Sequence, residues 1–277
     1  MKGIKVRGPS YAGAMAELIF ACVLLAGCNN FFMFGVSHDP PAVGSLTSGG
    51  SSTYAVTYNA NAGSGNVPTD SNNYLQKAAV TVLGSGSLVR TGYTFIAWNT
   101  QANGGGTVYA AGVTFPMGTA NVILYALWTS SNLTITSSGT IVTITGYTTA
   151  PSGLLTIPRG VTNVGDNAFL HCTALTSVSF PSSVTSIGDD AFRHCTALTS
   201  VSFPSSVTSI GDNAFHHCSA LTSVVVQATT PPALPSGSGA FSNCAAGLRI
   251  HVPSSALVAT YKAATGWSDY ASIIVSP

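Results

Sequence analysis

Ala168-Phe169-Leu170-His171-Cys172 returns as Ala191-Phe192-Arg193-His194-Cys195, as Ala214-Phe215-His216-His217-Cys218 and as Ala240-Phe241-Ser242-Asn243-Cys244. Cys172, Cys195 and Cys218 stand 23 residues apart, and Cys244 follows after 26. A fixed period of this length marks a solenoid, because one such unit cannot bury its own apolar face and must stack on the next. Outward from the motif, each unit reads Pro-x-x-Val-x-x-Val/Ile-Gly-Asp-x-Ala-Phe-x-x-Cys-x-x-Leu-x-x-Val-x-Phe. Phe169, Cys172 and Leu175 share a spacing of three with Phe192, Cys195 and Leu198 and with Phe215, Cys218 and Leu221, and Phe241 and Cys244 close the series. That spacing puts them on one face of a short helical turn, and the face is expected to look inward. Asp166, Asp189 and Asp212 are placed to cap that turn at its amino end, and Gly165, Gly188 and Gly211 to permit the corner before it. Each unit then alternates apolar residues with serine, one short strand per coil. Ser177, Ser179, Ser200, Ser202, Ser223 and Val225 are the outward positions, and none is an aromatic or arginine of the kind that dominates tight interfaces.

Only 6% of the 277 residues are charged while 45% are hydrophobic, which excludes a charged disordered chain. A net charge of +1 with no basic stripe argues against a nucleic-acid partner. Lys2, Lys5 and Arg7 precede an apolar run over 18–26, too short for a bilayer but suited to a secretory signal. The run ends in Leu25-Ala26-Gly27-Cys28, which resembles the lipobox of bacterial lipoproteins. The resemblance implies a signal peptide over 1–27 and a membrane anchor through lipid on Cys28. By its likeness to sorting rules of diderm bacteria, a residue other than Asp at Asn29 favours the outer membrane. Residues 28–53 contain Asp39-Pro40-Pro41 and a Gly/Ser run, the composition of a flexible tether. Phe31, Phe32 and Phe34 lie close to the anchor.

Residues 54–129 alternate in the manner of strands, broken by turn residues such as Asn59-Ala60-Asn61-Ala62-Gly63. Tyr58-Asn59-Ala60-Asn61, Thr91-Gly92-Tyr93-Thr94-Phe95-Ile96-Ala97-Trp98-Asn99 and Leu124-Tyr125-Ala126-Leu127-Trp128 resemble the Listeria–Bacteroides repeat family of bacterial surface modules. Ala62 and Ala97 stand where that family usually has glycine. The family implies a β-grasp-like spacer without enzymatic activity. The 23-residue step, the Ala-Phe-x-x-Cys-x-x-Leu core and the Ile-Pro or Phe-Pro corners resemble the BspA-like (Treponema-type) leucine-rich repeats. That resemblance implies an extracellular binding or adhesion role. The expected fold is thus mainly β: a short leucine-rich-repeat solenoid over 158–247, preceded by a small β-grasp-like domain. Residues 130–157 are expected to cap it at the amino end and 248–277 at the carboxyl end, since an uncapped solenoid exposes core.

The four repeat cysteines occupy equivalent places in successive coils, so their side chains point in parallel and are expected to be buried free thiols. His171, His194 and His217 precede them and should form a file. Histidine with cysteine is metal-ligand chemistry, but here the cysteines should face in and the histidines out, so no metal is assigned. No nucleophile–base pair, phosphate loop or dinucleotide fingerprint occurs, and neither catalysis nor a cofactor is expected. The reading is a lipid-anchored surface protein presenting its array to a protein or glycan ligand. Its alternatives are a structural envelope lipoprotein facing the periplasm, and a glycan-binding module using Trp98, Trp128 or Trp267.

Overall fold

A computed structural model describes residues 52–277; the signal segment, Cys28, the three phenylalanines beside it and all but the end of the tether lie outside the described residues. The first strands are β1 (Thr53–Asn59), β2 (Asn73–Leu75), β3 (Ala79–Thr81), β4 (Tyr93–Asn99), β5 (Val108–Tyr109), β6 (Thr114–Pro116) and β7 (Val122–Ser130). Five of them form a sheet in the order β2-β1-β7-β4-β5, with β1 and β7 parallel at its centre. The β3·β6 pair covers this sheet, so Val80 and Phe115 meet Val56, Leu124 and Trp98 in one core. Trp98 is fully buried, takes the edge of Tyr58 at 4.7 Å, and donates its indole N–H to Leu83 O at 2.9 Å.

The hairpin β8 (Leu133–Ser138) and β9 (Ile141–Tyr147) leads into the coils. Their strands are β10 (Gly153–Thr156), β11 (Asn163–Val164), β12 (Leu175–Ser179), β13 (Ser186–Ile187), β14 (Ser200–Phe203), β15 (Ser209–Ile210), β16 (Ser223–Val226), β17 (Arg249–His251) and β18 (Ile274–Val275). They make two parallel stacks, β10-β12-β14-β16-β17-β18 and β15-β13-β11-β9, the second closed by the antiparallel β8. Between the stacks the ring of Tyr147 begins an aromatic file. Phe169, Phe192, Phe215 and Phe241 follow, with centroids 6.2, 5.1, 5.2 and 5.7 Å apart, and Trp267 ends it. One residue type in register therefore gives one continuous apolar core.

Three expectations about the corner are corrected. The Phe–Cys–Leu segment is not helical; it is two successive tight turns, with Cys172 N–H donating to Phe169 O at 3.2 Å and Leu175 N–H to Cys172 O at 3.1 Å. His171 interrupts any helix, because its φ is 61° and its N–H crosses to Arg193 O on the next coil. The aspartates do not cap locally. Asp166 Oδ1 accepts the N–H of Asp189 at 2.9 Å, and Asp189 Oδ1 that of Asp212 at 2.7 Å, a carboxylate ladder between coils. The glycines before them serve proximity rather than φ: a Cβ on Gly188 would strike Asp166 Oδ1 and the Gly165 backbone, and one on Gly211 would strike Asp189.

At the carboxyl end, within the longer last step, Ala233 bridges Ser209 in parallel. α1 (Val258–Ala263) and a turn of 3₁₀ helix over Trp267–Tyr270 then close the core. Tyr261 Oη donates to Ala228 O at 2.6 Å and Trp267 Nε1 to Pro232 O at 2.7 Å, so both rings are buried with their polar atoms satisfied.

Candidate binding surfaces

Two faces of the solenoid present side chains in regular rows. On the six-stranded sheet, register aligns Leu154, Ser177, Ser200, Ser223 and Arg249 in one row. Thr156, Ser179, Ser202, Val225 and His251 form the second. The six outward positions read from sequence thus lie on this face, but it is wider than four coils: β10 precedes them and β17 and β18 extend them. Six strands at about 4.8 Å span about 24 Å. The added residues change its chemistry, since Leu154 is 63% exposed and Arg249 brings a charge.

The second face is the file of imidazoles. His171 stacks on His194 at 4.6 Å and His194 on His217 at 4.7 Å, the planes within 7° of parallel. His216 meets His217 edge-on at 4.2 Å, and the Asn243 amide lies 3.0 and 3.5 Å from their Nε2 atoms. Stacked rings carry their nitrogens side by side rather than toward a common point. Among the described residues no group of three or more His, Cys, Asp or Glu is arranged to hold a metal ion. Partial burial in the file, then the neighbouring His171, His217 and Arg193, hold His194 below its ordinary value of 6.5. Burial, His217, Arg193 and His194 do the same to His216, with Asp190 opposing.

The repeat cysteines turn inward. Cys172, Cys195 and Cys218 are buried, Cys244 is half-buried, and all four are free. Cys195 Sγ donates to Phe169 O, Cys218 to Phe192 O and Cys244 to Phe215 O, at 3.2–3.3 Å. Phe169, Leu175, Phe192, Leu198, Phe215, Leu221 and Phe241 lie in the same core. Trp98 and Trp267 are fully buried and offer no ring face to a sugar; Trp128 is half-buried, with its N–H on Ala60 O. No helix among the described residues is long and apolar enough to cross a membrane.

Comparison with known proteins places these two parts in families. Residues 147–263 match the BspA type leucine rich repeat region in six copies, and 54–127 match the Listeria-Bacteroides repeat domain. Two curated proteins of Evansella cellulosilytica, one named as a membrane protein and one as a Gly-rich membrane protein, are 46% identical over 57 residues and 48% over 54. These alignments cover 21% and 20% of the chain but 9% and 6% of the relatives, so the chain spans less than a tenth of their length. Among solved structures, a leucine-rich repeat protein from Bacteroides capillosus is 25% identical, with a TM-score of 0.39, over 45% of this chain and 96% of that one. The T. pallidum leucine rich repeat protein is 25% identical, with a TM-score of 0.38, over 52% of this chain and 77% of that one. Neither family match is to a catalytic family.

Proposed function

We propose that this chain, whose residues 147–263 match the BspA-type leucine-rich repeat region and whose residues 54–127 match the Listeria–Bacteroides repeat domain, is a lipid-anchored envelope protein whose array faces outward for adhesion. The observation that carries this reading is the six-stranded parallel face, whose outward side chains stand in register from coil to coil. Its small hydroxyl side chains favour weak contact over a broad area, multiplied when many copies are anchored on one cell. Lipid on Cys28 would supply the anchor and the segment over 28–53 the tether. A periplasmic structural role is the competing reading.

Protease shaving of intact cells separates the two. Loss of the protein while a periplasmic control survives supports surface display. Protection of both would remove adhesion, since a sealed protein meets no partner. A purified monomer holding a protein partner at nanomolar strength would contradict the weak, multivalent mode.

A further inference from the structure

A cleft of about 330 Å³ opens where the module meets the first coils, between the glycine loop 104–106 with Thr107 on one side and Thr140, Arg159 and Ser182 on the other. The glycine wall is anchored from beneath by Asn99, with Asn103 Oδ1 accepting the N–H of Gly105 at 2.9 Å and Thr100 Oγ1 that of Thr107 at 3.0 Å. Asn99 is fully buried; its amide N–H groups donate to Gly104 O at 3.3 Å and Gly106 O at 3.0 Å. Its Oδ1 accepts from the N–H groups of Gln101 at 2.8 Å and Gly106 at 3.0 Å. A wall fixed in advance loses little entropy on binding.

The opposite wall breaks the internal repeat. Arg159-Gly160 stands where the next two coils carry Ser182-Ser183 and Ser205-Ser206. Gly160 has a packing reason, because its φ is +88° and a Cβ there would run into Leu127. Arg159 has none. It is exposed and, among the described residues, makes no ion pair and no side-chain hydrogen bond. By contrast Arg193 pairs with Asp190 at 3.1 Å, Arg249 donates to Leu248 O at 2.9 Å and Arg90 lies 3.8 Å over the ring of Tyr93. No carboxylate lines the cleft.

A guanidinium without a counter-charge offers a planar fork that matches a carboxylate. The hydroxyls of Thr107, Thr140 and Ser182 both donate and accept, as ring hydroxyls of a sugar require. Val108 and Pro181 add apolar surface for the carbon face of a ring, and the volume sits at the small end of ligand sites, about 300–1,000 Å³. We propose that this cleft binds one carboxylate-bearing sugar residue, with the carboxylate on Arg159 and the ring hydroxyls on Thr107, Thr140 and Ser182. The inference deepens the adhesive reading by naming a ligand class, and it rests on that reading for its purpose.

The test titrates the full chain with sodium glucuronate and with N-acetylneuraminate, using glucose and acetate as controls, followed by amide chemical shifts. At least one acidic sugar should saturate in the millimolar range, with both controls at least about tenfold weaker. Arg159→Ser installs the residue of the neighbouring coils, so it should leave Tm unchanged and weaken binding at least about tenfold. Arg159→Lys keeps the charge without the fork and should weaken binding severalfold, which covers the case in which the serine variant is unstable. Saturation by neither acidic sugar, equal binding by acetate or by glucose, or undiminished binding by the variants would overturn the inference. Adhesion of protein-coated beads is measured in parallel. Equal adhesion by wild type and Arg159→Ser without sugar binding removes only the sugar site; sugar binding without adhesion removes only the adhesive role.

Discussion

His171, His194 and His217 have φ of 61°, 60° and 60°, and Asn243, the next residue in their column, has 57°. A second column repeats the pattern: Asn167, Asp190, Asn213 and Gly239 lie at 57°, 54°, 53° and 66°. What the members share is tolerance of the left-handed region, which Gly, Asn, Asp and His enter more readily than other residues. The histidine file therefore has a conformational reason independent of any ligand. His194→Asn should leave the urea midpoint nearly unchanged, whereas His194→Ala should cost about 1 kcal/mol. Equal losses would show that the stacked ring, not the backbone, is what matters. The same file sets a pH dependence. His194 and His216 both have their pKa lowered, so the fold prefers neutral rings and the unfolded chain protonates first as pH falls. That stability is present above about pH 6.5 and is lost as pH drops through the unfolded value of histidine toward the depressed folded one. Tm should fall between pH 7.5 and 5.0, and less steeply in His194→Asn; an identical slope in the variant would contradict this.

At the scale of the coil, the apolar positions were legible because Phe, Cys and Leu recur together in register, and nothing but a stacked core needs that. The corner was not. Asp166 has the look of a local cap, and only the neighbouring coil reveals that the N–H it accepts belongs to Asp189. Gly188 likewise reads as a flexible hinge, while its constraint is the Asp166 backbone one coil away. A partner 23 residues distant leaves no local signature. The left-handed columns did leave one, since a position filled by Asn, Asp, Asn and Gly admits little else in common. The thiols follow from the same stacking: Cys195, Cys218 and Cys244 each bond a carbonyl of the preceding coil, and none of the four is joined to another sulfur covalently. Even Cys244, the most exposed, is pushed up to about 11 by burial, so it is a poor thiolate at neutral pH. Denaturing the unreduced protein should therefore reveal four thiols that the native fold hides from Ellman's reagent, counted over 172–244. A smaller increment would mean that the coils are cross-linked, and the parallel arrangement would be wrong.

The module and the solenoid were separable in sequence because their periodicities differ, yet the folded chain does not keep them apart. Ile96, Ala97, Val108 and Leu127 of the module belong to the same buried cluster as Val142, Val161 and Val164 of the first coils. Ala110 N–H also donates to Gly139 O at the tip of the β8–β9 hairpin. The module therefore completes the amino-terminal cap, covering apolar surface that the hairpin alone would leave wet. Sequence could not show this, since Ile96 and Leu127 fit a sheet core equally well whichever side they face. Shared core couples unfolding, so calorimetry should give one transition for module and array rather than two. The joint has a specific weak point at Gly160, held at φ +88° against the Leu127 side chain. Gly160→Ala adds left-handed strain to a collision and should cost about 2 kcal/mol or more, lowering Tm and separating the module's transition from that of the coils. Two transitions in the unaltered protein would instead make the module an independent spacer. The cleft walled by Gly104 and Arg159 would then have no fixed geometry, because its two sides belong to the two parts.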